Sequence, residues 1–67
     1  MYNNLKAEMA RTGITGNDIA KLLEISLNTT YAKLNGKTDF YNNETFSIKE
    51  KFFPELEFEY LFKKDEN

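Results

Sequence analysis

Asn28, Tyr31 and Asn35 recur at intervals of three and four with Leu27 and Ala32 beside them, so a helix here carries all five on one outward stripe. The chemistry of such a stripe is recognition. An Asn amide matches adenine N6 and N7 in the DNA major groove, Leu27 and Ala32 suit a thymine methyl, and Tyr31 suits a base edge or a phosphate. Thr15, Asn17 and Ser26 fall where two helices would begin, and backbone N–H groups and the helix dipole favour phosphate at such ends. Lys37 follows the stripe as a phosphate clamp. Lys33 reads either as a second clamp or as a long side chain packed along the protein.

Bond-making chemistry has little to work with. The chain contains neither Cys nor His, which removes disulfides, Cys/His zinc sites, Cys nucleophiles and Ser-His arrangements together. Glu55, Glu57 and Glu59 supply carboxylates, but 67 residues build no cleft around them, and the run reads as a solvated face. The expectation is no enzyme, no metal, no cofactor and no small-molecule ligand.

The elements that must position the stripe follow from periodicity. Asn3 or Asn4 is placed to cap a first helix over 4–12, stopped by Gly13. Thr15 followed three residues later by Asp18 forms a near capping box for a helix over 16–23. Ser26 caps a third over 27–35, closed by Gly36, with Ile19, Leu23, Ile25, Thr30 and Leu34 facing inward. A polar loop carrying Phe40 and Tyr41 leads to a fourth helix over 44–53, ended by Pro54. Residues 56–60 alternate like a strand, yet Phe58, Leu61 and Phe62 also fit a helical stripe. A helix over 57–62 is preferred, because a lone strand would need a partner from a second molecule. The fold class is therefore all-α: a compact bundle of about five short helices containing a helix-turn-helix, one domain over 1–67 with a frayed tail at 63–67.

A chain of 67 residues has room for one small core, and its six Phe and four Tyr supply the large apolar side chains that core needs. No apolar run approaches the roughly 18 residues of a membrane span, and the N-terminus does not read as a signal peptide, so a cytoplasmic protein is expected. The net charge of −2 conceals a polarity. Residues 1–37 hold five basic against three acidic residues, and residues 38–67 hold four against eight.

The run from Asn4 to Gly36 carries Leu5-Lys6-Ala7-Glu8-Met9-Ala10-Arg11, Ile14-Thr15, Ile19-Ala20-Lys21-Leu22-Leu23, Ile25-Ser26 and, through Lys37, Lys33-Leu34-Asn35-Gly36-Lys37. With Phe53-Pro54 and Glu59-Tyr60-Leu61-Phe62, it resembles the lambda-repressor-like, Cro/C1-type (XRE family) helix-turn-helix proteins of phages and Gram-positive bacteria. The resemblance implies a bundle of about five helices that binds operator DNA as a homodimer or as a monomer on paired half-sites. The chain departs from that pattern at four places. Glu24 stands where a turn Gly is usual, at a cost if its φ is positive. Thr30 replaces a core Val or Ile, and its hydroxyl needs a partner such as the carbonyl one turn back. Leu27 fills a slot that is commonly polar or basic, and Asp39 lies in a loop that is often basic.

Two functions fit. The first is a sequence-specific double-stranded DNA-binding transcriptional regulator of phage or prophage type, with helix 27–35 in the major groove. With no second domain, its switching would come from concentration, a partner or competition. The alternative is a protein-interaction module on the same fold, binding a repressor or host factor through exposed Leu27 and Tyr31. If 56–60 were a strand, pairing with a second copy would create a Cro-like dimer.

Overall fold

The computed structural model describes residues 1–65, and among them every regular element is helical: α1 (Asn3–Thr12), α2 (Gly16–Leu23), α3 (Leu27–Leu34), α4 (Asn42–Phe52) and α5 (Phe58–Leu61). Each helix sends one fully buried aliphatic side chain to a common centre: Leu5, Ile19, Leu34, Ile48 and Leu61. Full burial of such side chains contributes about 1.5–3 kcal/mol each. Tyr2, Met9, Phe40 and Phe53 complete this core. α2 packs against α3 and α4, and α1 against α5.

Local chemistry accounts for most boundaries. α1 ends at Gly13, whose φ of 79° lets Ile14 N–H reach back to Met9 O at 2.9 Å. The box at the start of α2 forms in both directions, with Asp18 N–H donating to Thr15 Oγ1 (3.4 Å) and Thr15 N–H to Asp18 Oδ2 (2.9 Å). Ser26 Oγ accepts from Thr29 N–H at 3.1 Å to start α3.

Other boundaries answer to tertiary contacts. The expected Asn cap of α1 is replaced by Tyr2, which makes no side-chain cap bond. Its ring is buried beside Phe40 and its N–H donates to Leu34 O at 3.3 Å, so the chain enters the helix where the core holds it. Asn4 instead donates to Tyr60 O at 2.9 Å. α3 closes at Leu34, one residue early, with Asn35 as its cap. α4 starts at Asn42, two residues earlier than periodicity suggested, because Glu44 reaches back to accept from Tyr41 N–H at 2.9 Å. It ends at Phe52 rather than 53.

The loop and the tail add what periodicity left open. Phe40, assigned to a polar loop, is buried, with its ring 5.3 Å from Tyr2 and 6.1 Å from Phe62. The preferred helix over 57–62 forms, shorter by one residue at each end: Leu61 N–H donates to Glu57 O and Phe62 N–H to Phe58 O, both at 3.0 Å, giving one helical turn over Phe58–Leu61 in place of the alternative strand at 56–60. The strand-paired Cro-like dimer is withdrawn with it. In the tail read as frayed over 63–67, residues 63–65 carry no regular structure, Asp65 N–H donates to Met1 O at 2.8 Å, and 66–67 lie outside the described residues. No described helix is long and apolar enough to cross a membrane.

Candidate nucleic-acid interface

Three residues join α2 to α3, and their geometry orients the stripe. Glu24 takes a left-handed conformation, φ 58° and ψ 44°, and its N–H returns to Ala20 O. Ile25 N–H also donates to Ala20 O at 3.1 Å, and its side chain, expected to face inward, is only half-buried and lies outside the core cluster. Thr30, fully buried, donates its hydroxyl to Ser26 O at 3.0 Å, so the departure from an aliphatic core residue leaves no orphaned polar atom.

α3 is divided lengthwise. Thr30, Lys33 and Leu34 are buried, whereas Leu27, Asn28, Tyr31 and Asn35 are exposed and Ala32 lies half-buried at the flank. Leu27 and Tyr31 stay 39% and 45% accessible, exposed but less so than Tyr41 (67%) and Phe46 (60%) outside the stripe. Tyr31 leans across to α2: a β-carbon on Gly16 would stand 2.7 Å from its ring, so the bare Gly16 backbone is the seat on which the ring rests. That seat brings the stripe next to Thr15 and Asn17, both exposed at the start of α2. At the other end, Lys6 Nζ donates to Asn35 Oδ1 at 2.7 Å. Lys37 is exposed, and its N–H returns to Ala32 O at 2.9 Å.

The capping hydroxyls are already committed. Thr15 Oγ1 contacts Asp18 Oδ2 at 3.2 Å, and Ser26 Oγ donates to Thr29 Oγ1 at 2.8 Å besides accepting from Thr29 N–H. Any phosphate at these ends would therefore meet the backbone N–H groups of Gly16 and Asn17 or of Leu27 and Asn28, because those of Asp18 and Thr29 are taken by the caps.

Lys33 is a packing residue and no surface clamp. Its ammonium is buried, donating to Glu44 Oε1 (2.9 Å) and Asp39 O (3.2 Å) and lying 4.3 Å from the Tyr41 ring centre. It ties α3 to the start of α4 and shapes the loop behind Lys37. A second network joins α1 to α5, where Glu8 accepts from Arg11 and from the Tyr60 hydroxyl at 2.8 Å. Arg11 and then Tyr60 hold the Glu8 carboxyl below its ordinary value near 4.5, and Glu8 in turn raises the Tyr60 phenol above 10.0. Beside this network an open cavity of about 260 Å³ lies between α1 and the α4–α5 turn, lined by Glu8, Arg11, Phe52, Glu55 and Leu56 among others, so Glu55 borders a cleft where none was expected. None of its lining residues belongs to the stripe.

Sequence reasoning missed Lys6, Gly16 and the Asp39–Lys64 ion pair. Lys6 and Asn35 are 29 residues apart, and Asp39 and Lys64 are 25 apart, so no local spacing signals either pair. No protein-family model, curated protein or solved structure matches the chain.

Proposed function

We propose that this protein is a sequence-specific double-stranded DNA-binding transcriptional regulator, related to the Cro/C1-type helix-turn-helix proteins of phage or prophage that it resembles. α3 enters the major groove, Asn28 reads adenine, Leu27 and Ala32 meet thymine methyls, and Tyr31 and Asn35 reach base edges or phosphates. Thr15, Asn17, Ser26 and Lys37 hold the backbone on either side. Regulation follows from occupying an operator, and no catalysis is assigned.

The observation that supports this reading best is the division of α3, with one face buried and the other presenting Leu27, Asn28, Tyr31 and Asn35 to solvent beside the start of α2. The exposure of Leu27 and Tyr31 together with the net charge of −2 also favours a second reading, a protein-binding surface on the same helix.

Selection of bound duplexes from a random pool separates the two. On the first reading one site is enriched, and its affinity falls steeply between about 50 and 200 mM salt as phosphate contacts release counterions. Asn28→Ala then loses discrimination at one base pair by about 1–3 kcal/mol. Failure to enrich any site, with weak binding even at low salt, sinks the DNA reading and leaves the protein-binding one. A palindromic site would indicate a homodimer by the spacing of its halves.

A further inference from the structure

The two ends of the chain meet at the C-terminal end of α3. Tyr2 N–H donates to Leu34 O, Met1 and Asp65 exchange backbone hydrogen bonds (2.8 and 3.3 Å), and a β-carbon on Gly36 would stand 2.7 Å from Met1 N. This clasp gathers cations from three parts of the chain. Lys6 comes from α1 and rests on Asn35, Lys37 follows α3 directly, and Lys64 comes from the tail and pairs with Asp39. The tail belongs to the acidic half of the sequence, yet its lysine is carried onto the basic side.

We infer that Lys6 and Lys64 form, with Lys37, a phosphate-anchoring patch for duplex DNA at the far end of α3, and that Asp39 weakens this patch by holding Lys64. The inference rests on the DNA-binding reading above and adds two residues and a brake to it. A helix whose first turns read base edges carries its other end outward. The eight residues of α3 span about 12 Å, which is about the width of the major groove, so the end of the helix arrives where the flanking phosphates run. The three lysine ammonium groups and the Met1 amine there, against the carboxylates of Asp39 and Asp65, make a net cationic edge. Both Lys6 and Lys64 hold their partners on exposed surface, where exchanging a neutral amide or a carboxylate for a phosphate costs little. Lys64 engages Asp39 and stands 6.0 Å from the Tyr2 ring centre, so the tail is anchored while its ammonium stays at the surface.

The test is the salt dependence of binding by the full chain to its selected duplex and to a mixed-sequence duplex. It is measured for wild type, Lys6→Met, Lys64→Met, Asp39→Asn and Asn28→Ala, each first checked by thermal unfolding. Each lysine variant should reduce the slope of log affinity against log salt by roughly 0.9 and weaken both duplexes equally. Asp39→Asn should tighten binding to both, a gain that damaged folding cannot imitate. If the lysine variants keep the wild-type slope and Asp39→Asn changes nothing, while Asn28→Ala still alters base preference, the patch is refuted and the DNA reading stands. If wild type selects no duplex at all, both fall.

Discussion

Glu24→Gly should stabilise the protein, and the amount can be worked from one backbone angle. Glu24 is the one non-glycine residue with positive φ among the described residues. The left-handed conformation presses an L-residue's β-carbon toward the following carbonyl oxygen at a cost of about 1–2 kcal/mol. Glycine escapes that contact but loses more freedom on folding, about 0.5–1 kcal/mol relative to alanine. Taken at the middle of each range, the backbone gain is roughly 0.5–1 kcal/mol net. A separate contribution comes from charge, because a carboxylate at the C-terminal end of α2 faces the negative end of the helix dipole, an effect of about 0.3–1 kcal/mol. Glu24→Gln removes the charge and keeps the β-carbon, so the difference between the two variants isolates the backbone effect. In a domain of this size 1 kcal/mol moves Tm by about 4–8 °C, which places the glycine variant roughly 2–8 °C above the glutamine variant in thermal unfolding followed by circular dichroism. Equal melting temperatures for the two would refute the strain argument and assign the whole effect to charge.

Lys33→Met should be severe, since it leaves the Glu44 carboxylate buried with only the Tyr41 N–H, and breaking such a pair costs about 3–5 kcal/mol. Adding Glu44→Leu should recover most of that loss in urea unfolding, and a single variant losing under about 1 kcal/mol would mean the pair is solvated. Acid should act through Glu8. Its folded-state value is depressed, so the unfolded chain takes up the proton more readily, and stability present above about pH 4.5 is lost as the pH falls below it. Glu8→Gln should flatten that decline in Tm, and parallel profiles for the two proteins would exclude Glu8 as its source. Gly16→Ala should leave Tm nearly unchanged, because the ring it displaces is exposed, yet weaken binding to the selected duplex by moving Tyr31. Unchanged binding would remove Tyr31 from the reading face.

The helices were legible where their signals are local. Gly13 as a stop, the Thr15–Asp18 box, the Ser26 cap and the apolar spacing of Ile19, Thr30 and Leu34 each depend on residues within one or two turns, and each appears where periodicity placed it. The outward stripe was legible for the same reason, since the angle of 100° per residue that buries Thr30 and Leu34 exposes Leu27, Asn28 and Tyr31. The start of α1 was not, because Tyr2 is placed by Leu34 and Phe40 rather than by a cap, nor was the burial of Phe40.

Residue types and spacing determined the first four helices, a three-residue turn between α2 and α3, and which side chains α3 turns outward, while residues 56–60 fitted strand and helix alike. Those features arise from hydrogen bonds and sterics within a few residues, and they would assert themselves in any environment that buries the opposite face. Tertiary structure alone decided what surrounds that stripe. Gly16 seats Tyr31, Lys33 is withdrawn into a pair with Glu44, and Lys6 and Lys64 are delivered to the end of α3. Each of these contacts between separate segments is settled when the five buried aliphatic side chains converge on one centre, because packing at that centre fixes how the helices sit against each other.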